Sequence, residues 1–186
     1  MALKSTIFKA ELQIADMDRS YYGEHALTVA RHPSETDERM MVRLLAFALH
    51  AGDRLAFGKG LSSDDEPDLW QRDLTGAIEA WIDVGQPDDR RIRKACGRAA
   101  QVSVYSYSGH GAALWWSQIG DKLDRIQNLS VLNLPSGVGL ALARLADRSM
   151  RLQFTIQDGH VWVSGGESVV QVELQVLKRA GAEAHR

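Results

Sequence analysis

The chain is poor in cysteine and has no long apolar run. Its 186 residues include one cysteine, Cys96, so an intrachain disulfide is impossible. The N-terminal stretch MALKSTIFKAELQIAD mixes charged residues among its apolar ones and lacks the apolar centre of a signal peptide. No stretch approaches the roughly 18 apolar residues of a membrane span. These absences argue against a disulfide scaffold and a membrane partner, and they predict a cytoplasmic protein.

An excess of charge of either sign is also missing. The 22 Lys and Arg residues nearly balance the 24 Asp and Glu residues, giving a net charge of -2. No overall field therefore draws in a polyanion, and nucleic acid would need a local basic patch or a metal ion. The composition, 45% hydrophobic and 25% charged, is that of a globular protein without repeats or linkers. We predict one domain over residues 1–186 and leave its oligomeric state open.

Alternation of apolar and polar residues predicts strands at both ends of the chain. Residues 5–16 alternate, and residues 17–33 contain a turn and a second strand, which indicates an N-terminal hairpin. Residues 150–179 alternate around Asp158-Gly159, a hairpin-turn dipeptide, and predict a three-stranded meander. Strand and helix patterns alternate between these ends. We therefore predict an α/β (α+β) fold with a mixed β-sheet flanked by helices.

The first predicted helix carries a carboxylate on its apolar stripe. Residues 33–52 favour a helix, with Ser34 as its N-cap and Gly52 at its end. At helical spacing after Glu38 come apolar residues, namely Met41, Val42, Leu45 and Leu49. A carboxylate on a buried stripe needs a cation or hydrogen bonds. Alternatively, Glu38 lies at the exposed edge of the stripe or pairs with an arginine.

A second group of carboxylates surrounds Pro67. The segment DDEPD, residues 64–68, holds four acids that repel each other in water, and a divalent cation would relieve that repulsion. The strand predicted for residues 76–85 places Glu79, Trp81 and Asp83 on one face. A solvated acidic loop and a solvated sheet face are the alternatives to a metal site.

A helix, a turn and a strand thus each offer a carboxylate: Glu38, Asp68 and Glu79. Oxygen ligands of this kind suit Mg²⁺ or Mn²⁺. Zinc is disfavoured because the six histidines show neither HxxxH nor HExxH spacing and only one cysteine is present. The sequence therefore indicates a candidate magnesium or manganese site.

A basic helix follows the acidic segment. Residues 86–100 predict a helix in which RRIRKACGR concentrates five cations: Arg90, Arg91, Arg93, Lys94 and Arg98. The arginines, Arg90, Arg91, Arg93 and Arg98, are candidates for gripping a nucleic-acid backbone, with an affinity that depends on salt. Alternatively, the helix balances the acids of residues 64–73 and of its own first turn.

Long segments of the chain resemble the YaeQ family. They are TVARHPSETDERMMVRLLAFALHAG, GLSSDDEPDLWQRDLTGAIEAWIDVGQPD and RRIRKACGRA, and the similarity extends over most of the chain. The order of the acids resembles the PD-(D/E)XK, or restriction-endonuclease-like, phosphodiesterase superfamily. In that superfamily a helix acid, the Asp of a PD motif and an acid-x-Lys strand hold the metal and orient water. The resemblance implies a restriction-endonuclease-like core and, as ligands of Mg²⁺ or Mn²⁺, Glu38, Asp68 and Glu79.

The sequence departs from this motif at Trp81, which stands where the superfamily has lysine. Tryptophan has no ammonium group to stabilise a developing oxyanion. The superfamily can supply the lysine from the following helix, where Lys94 is available. Two functions stay open. One is a metal-dependent phosphodiesterase acting on nucleic acid, with Glu38, Asp68, Glu79 and Lys94 as catalytic residues. The other is a catalytically inactive regulatory module that binds nucleic acid or protein.

Overall fold

The computed structural model describes residues 3–181, so His185 lies outside the described residues. The chain divides into two compact units, each made of two chain segments. The first unit contains the described parts of Met1–Ala51 and Gly137–Leu174, and the second those of Gly52–Ser136 and Gln175–Arg186. The single domain over residues 1–186 stays a prediction. No helix in the described part of the chain is long and apolar enough to cross a membrane.

Four α-helices and eleven strands form within residues 3–181. In chain order they are β1 (Thr6–Asp16), β2 (Tyr21–Arg31), α1 (Asp37–His50), β3 (Leu55–Phe57), β4 (Leu69–Arg72), β5 (Ile78–Val84), α2 (Asp89–Arg98), β6 (Ala99–Ser106), α3 (His110–Leu123), β7 (Leu129–Asn133), α4 (Val138–Ala143), β8 (Ser149–Gln157), β9 (His160–Gly165), β10 (Ser168–Glu173) and β11 (Gln175–Lys178). A 3-10 turn, Gly60–Ser62, lies between β3 and β4.

The first unit is built on a five-stranded mixed sheet in the order β10-β9-β8-β1-β2. The predicted N-terminal hairpin is confirmed, because β1 and β2 pair antiparallel without a break from Thr6↔Arg31 to Asp16↔Tyr21. β1 also pairs in parallel with β8. Alternation of side chains along β1 buries one apolar face, which includes Phe8, Leu12 and Ile14. Helices α1 and α4 of this unit contact each other.

The start of α1 differs from the prediction. Thr36, not Ser34, is the N-cap, and its hydroxyl oxygen accepts a hydrogen bond from the Arg39 amide at 3.1 Å. Ser34 instead lies in the preceding turn, where its hydroxyl contacts Nδ1 of His32 at 2.6 Å. Serine and threonine can both cap a helix, and Thr36 does so here because the first turn begins at Asp37.

The second unit is built on a six-stranded mixed sheet in the order β11-β7-β6-β5-β4-β3. β5, β6 and β7 are parallel neighbours, whereas β3, β4 and β5 form an antiparallel meander. The core of this unit brings together residues of β5, β6, β7, α2 and α3, including Trp81, Ile92, Val104, Ile119 and Val131. β4 lies within residues 61–73, which the sequence alone predicts to be an acidic loop.

The C-terminal alternation covers two sheets instead of one. β8, β9 and β10 form the predicted three-stranded meander, and Asp158 and Gly159 both adopt positive φ angles, 53° and 75°, as a primed hairpin turn requires. β11 then pairs with β7 in the second unit. The predicted α+β class with mixed β-sheet and helices is confirmed, and the strands form two mixed sheets.

Candidate functional site

Asp68 is buried at the junction of β4 and β5. Only 2% of it is exposed, and its Oδ2 accepts a hydrogen bond from the Val84 amide at 2.8 Å. The antiparallel pairing Leu69↔Ile82 brings Asp68 to the end of β5. Gly60 has a φ of +50°, and a Cβ on it would lie 2.5 Å from Oδ1 of Asp68. The carboxylate is therefore enclosed by a strand amide on one side and a tight turn on the other.

Asp83, on the same strand end, is also buried, with 2% exposure. Both of its oxygens accept hydrogen bonds from Arg91 of α2: Nε to Oδ2 at 2.9 Å and Nη2 to Oδ1 at 3.1 Å. The same Nη2 also donates to the Glu66 carbonyl at 3.1 Å. This is the bidentate geometry that makes an arginine–carboxylate pair strong and directional.

Electrostatics around Arg91 favour its charged form. The hydrogen bond to Asp83 raises the pKa of Arg91 against the opposing effect of burial, and the charges of Asp83, Asp68 and Asp64 add to the rise. Arg91 is therefore a cation that compensates the buried carboxylate of Asp83 and adds to the compensation of Asp68.

Lys94 of α2 is held by the acidic segment. Its Nζ lies 2.7 Å from Oδ1 of Asp65. The hydrogen bond and charge of Lys94 hold the pKa of Asp65 below its usual range. Arg98, one turn further, donates to the Asp65 carbonyl at 2.9 Å, and its guanidinium carbon lies 5.2 Å from the Trp81 ring centroid. The helix thus fastens residues 64–66 through its side chains.

Glu79 makes a separate contact at the other end of β5. Its Oε2 lies 3.1 Å from Nη2 of Arg54 and accepts a hydrogen bond from Gln71 at 2.7 Å. Its side chain is 39% exposed. Asp83 lies four residue steps further along the strand, roughly 13 Å of backbone. The structure therefore does not bring Glu79 together with Asp68.

Trp81 occupies the face between Glu79 and Asp83. It is 1% exposed and packs in the core of the second unit with Ile92 and Ala95 of α2. Its indole nitrogen is buried and has no hydrogen-bond partner within residues 3–181. Trp81, which departs from the predicted acid-x-Lys motif, is therefore a core residue.

Glu38 belongs to the first unit. It lies in the first turn of α1, and a Cβ on Gly139 of α4 would fall 2.5 Å from its Oε1. Burial raises the pKa of Glu38 above its usual value. The carboxylate is partly buried and packs against the start of α4.

The cations of α2 serve contacts within the second unit. Besides Arg91, Lys94 and Arg98, Arg93 donates to the Lys122 carbonyl at 2.9 Å and lies 3.8 Å from Asp89. Arg90 is exposed and forms no ion pair with any described residue. The structure therefore supports the alternative in which this helix balances nearby acids.

A resident Mg²⁺ or Mn²⁺ fits this donor set poorly. Both oxygens of Asp83 and Oδ2 of Asp68 already accept hydrogen bonds, and Glu79 binds Arg54. Within residues 3–181 no group of three or more His, Cys, Asp or Glu side chains could hold a metal ion.

Asp83 is absent from the residues predicted for the site, although its position in the sequence places it on the face of Glu79. The sequence does contain a signal for Asp83: Asp68 directly precedes one strand, and Asp83 lies near the end of the next. In an antiparallel pair, the first residue of one strand meets the last residue of its neighbour. That pairing favours Asp83 over Glu79 as the partner of Asp68.

The family model for YaeQ protein matches residues 1–174 of this chain. The YaeQ protein of Salmonella typhi is 48% identical over 174 residues, which cover 94% of this chain and 96% of that protein. The YaeQ protein of Escherichia coli K12 is 47% identical over the same shares of both chains.

Two crystal structures have closely similar folds. The YaeQ protein from Xanthomonas axonopodis pv. citri superposes with a TM-score of 0.90 at 52% identity, covering 94% of this chain and 98% of the other. The YaeQ protein from Pseudomonas syringae superposes with a TM-score of 0.91 at 36% identity, covering 96% of this chain and 98% of the other.

Proposed function

The chain belongs to the YaeQ family, and from this premise we propose that it is a non-catalytic protein-binding module on a restriction-endonuclease-like core. The observation that carries the proposal is the bidentate pair between Arg91 and Asp83. A metal-dependent phosphodiesterase keeps carboxylate oxygens for its metal ion. Here the guanidinium takes both oxygens of Asp83, and Arg91 supplies the positive charge that a metal ion would bring.

The other residues of the superfamily motif are engaged in the same way. Lys94, the candidate for activating water, is bound to Asp65 at 2.7 Å. Glu79, the candidate strand ligand, is bound to Arg54 and Gln71. These bonds would have to break before Lys94 or Glu79 could act in hydrolysis. The bonds of Asp65 and Asp83 to α2 therefore hold the acidic segment, β5 and α2 together.

Protein is favoured over nucleic acid as the partner because few cations of α2 are available. A nucleic-acid grip depends on cations that can replace the counterions of phosphates. Arg91, Lys94 and Arg98 instead bind the acidic segment and β5. Arg90 forms no ion pair with any described residue, whereas Arg98 is engaged through the Asp65 carbonyl.

A Mg²⁺- or Mn²⁺-dependent phosphodiesterase is the second candidate, and one observation favours it. Asp68 and Asp83 are both 2% exposed and lie at the same end of β4 and β5, the arrangement that a PD motif and a strand acid would have. In this candidate Asp83 would join Asp68 as a metal ligand in place of the predicted Glu79, and Lys94 would activate water. This candidate requires Arg91 to release Asp83.

The two candidates are separated by titrating the protein with Mn²⁺ in a calorimeter and by cleavage assays on single- and double-stranded DNA and RNA. We expect no stoichiometric Mn²⁺ binding and no cleavage, with the same result for Asp68→Asn. Mn²⁺ binding and cleavage that both disappear in Asp68→Asn would establish the phosphodiesterase instead.

A labelled oligonucleotide tests the choice of partner class. Fluorescence anisotropy at low salt should show no binding, and Arg90→Ala should change nothing. Salt-dependent binding that weakens in Arg90→Ala would make nucleic acid the partner, because the slope of affinity against salt falls when fewer cations bind phosphates.

A further inference from the structure

The edge of the first unit's sheet is long and open. β2 is the outermost strand, is eleven residues long, and pairs with β1 on one side. Proteins usually blunt such an edge with a short strand, a proline, a lysine or a bulge. The β2 sequence YYGEHALTVAR contains no proline and no lysine, and its register with β1 has no irregularity. An edge of this kind is a template for another strand.

The free backbone groups of β2 can be assigned from its neighbours. The amide of Lys9 donates to the Arg148 carbonyl at the start of β8, so the backbone of Lys9 faces away from its register partner Thr28. Thr28 therefore directs its own N–H and C=O to the open side. Arg43 confirms the direction, because its Nη2 donates to the carbonyl of Ala30, two residues on, at 3.1 Å. By alternation, Glu24 and Ala26 also face outward.

Two charges beside this edge have no ionic partner among the described residues. The Nζ of Lys9 donates to the Thr28 hydroxyl at 2.9 Å, and Oε1 of Glu24 accepts a hydrogen bond from Gln13 at 3.1 Å. Neither Lys9 nor Glu24 forms an ion pair within residues 3–181. Glu24, Ala26 and Thr28 are exposed on the outer face of the sheet.

We propose that β2 pairs antiparallel with β2 of a second copy of this chain, centred on Ala26, to make a continuous ten-stranded sheet. In this register Ala26 faces Ala26 of the second copy, and Glu24 faces Thr28. The carboxylate of Glu24 then meets the Lys9 that binds Thr28. Because the contact is symmetric, two such pairs form, each between Glu24 of one copy and Lys9 of the other.

This self-complementarity selects a second copy over an extended segment of another protein. An unrelated strand could use the same backbone groups, but nothing in its sequence is bound to place a cation opposite Glu24 and an acid opposite Lys9. The small side chain of Ala26 also leaves room at the symmetry axis. The inference rests on the proposed protein-binding role and names its surface and partner.

Cross-linking tests the register directly. Facing residues in a hydrogen-bonded antiparallel pair have Cα atoms about 5.5 Å apart, which is within the range for a disulfide. In a Cys96→Ala background, oxidised Ala26→Cys should give a covalent dimer on a non-reducing gel. Thr28→Cys is the matched control, since it faces Glu24 and should stay a monomer. Equal cross-linking of both variants would overturn the register.

Sedimentation equilibrium tests the dimer itself. The parent protein should have twice the monomer mass, and Ala26→Pro, which removes an outward N–H that β1 does not use, should be a monomer with an unchanged circular dichroism spectrum. Lys9→Glu should weaken association by about tenfold, and Lys9→Glu with Glu24→Lys should restore it. A parent protein that stays monomeric, or a dimer unaffected by Ala26→Pro, would overturn the inference.

The tests of the β2 edge and the tests of the proposed function have separable outcomes. A monomer would remove the edge pairing and leave the cleavage and oligonucleotide assays as they stand. Mn²⁺-dependent cleavage by a dimer would remove the proposed function and leave the edge pairing intact.

Discussion

The guanidinium of Arg91 donates hydrogen bonds to both carboxylate oxygens of Asp83, with Nε 2.9 Å from Oδ2 and Nη2 3.1 Å from Oδ1. The pair joins the first turns of α2 to the end of β5, and the same guanidinium reaches the Glu66 carbonyl of the acidic segment. One side chain thus connects a helix, a strand and a loop. Arginine can do this because its planar group carries five donors in a fixed geometry.

Removing Arg91 should destabilise the protein strongly. Arg91→Leu leaves Asp83 buried and without its cation, so we expect a loss of about 3 kcal/mol in the free energy of unfolding. Urea unfolding monitored by tryptophan fluorescence measures this. Arg91→Leu combined with Asp83→Asn should recover part of the loss, because no uncompensated charge remains.

Arg90→Leu is the control for this experiment. Arg90 is exposed and has no ion pair among the described residues, so its replacement should change the free energy of unfolding by less than about 0.5 kcal/mol. Equal effects of the two arginine substitutions would show that the bond to Asp83 is not what stabilises this region.

Placing a lysine at position 81, as the acid-x-Lys motif would require, should unfold the protein instead of activating it. Trp81 is 1% exposed, so Trp81→Lys would place an ammonium group in the core and leave a cavity around the shorter side chain. We expect a loss above about 4 kcal/mol and no gain of nuclease activity. Ala77→Lys, at an exposed position before β5, should fold normally. A folded, active Trp81→Lys protein would contradict the core role of Trp81.

A methyl group on Gly60 should reveal the enclosure of Asp68. Gly60→Ala places Cβ 2.5 Å from Oδ1 of Asp68 and should destabilise the protein by about 2 kcal/mol, since backbone strain and a clash add. In an Asp68→Ala background the clash disappears and the same substitution should cost about 1 kcal/mol.

Gly76→Ala is the control for backbone strain alone. Gly76 has a φ of +90°, and nothing lies within 4 Å of its ideal Cβ position. Its effect should therefore be the same in the parent and in Asp68→Ala, as expected for independent sites. Additive effects for Gly60→Ala as well would mean that the turn does not enclose Asp68.

Stability should fall in mild acid because of His50. Burial, assisted by the charge of Arg19, lowers the pKa of His50 from 6.5 to about 4. Between these two pH values His50 takes up a proton when the protein unfolds. Its contribution to the free energy of unfolding is therefore fully present above about pH 6.5. It is lost as the pH falls to about 4, a loss of about 3 kcal/mol. Urea midpoints measured between pH 7 and 4 should show this slope.

His50→Gln should flatten that slope, because the glutamine does not titrate. His110→Gln should keep the slope, since His110 is exposed at the start of α3. An unchanged slope in His50→Gln would assign the acid sensitivity to other groups.

Local patterns predicted the strands well because the alternation of apolar and polar residues is set by burial of one face. The hairpin turn at Asp158-Gly159 is confirmed, since its backbone angles demand those residue types. The same alternation cannot say which sheet a strand joins. β11 continues the pattern of β10 and yet pairs with β7, through contacts between residues far apart in the chain.

The candidate site was less predictable for the same reason. Period two places Glu79 and Asp83 on one face equally well, so pattern alone does not choose between them. The pairing of β4 with β5 puts Asp83 next to Asp68, and the bond from Arg91 depends on where α2 packs. Strand register and helix placement are tertiary properties that no local pattern encodes.

The parallel pairing of β1 with β8 has a consequence during synthesis. Lys9 lies opposite Ser149, so the ribosome must add about 140 residues, roughly 7 to 28 s of translation, before β1 gains its second neighbour. Until then the nascent chain can offer an isolated β1–β2 hairpin, which is marginally stable in water. β1 therefore lacks its second neighbour until β8 has been made, and its unpaired edge is open to misassembly during that interval.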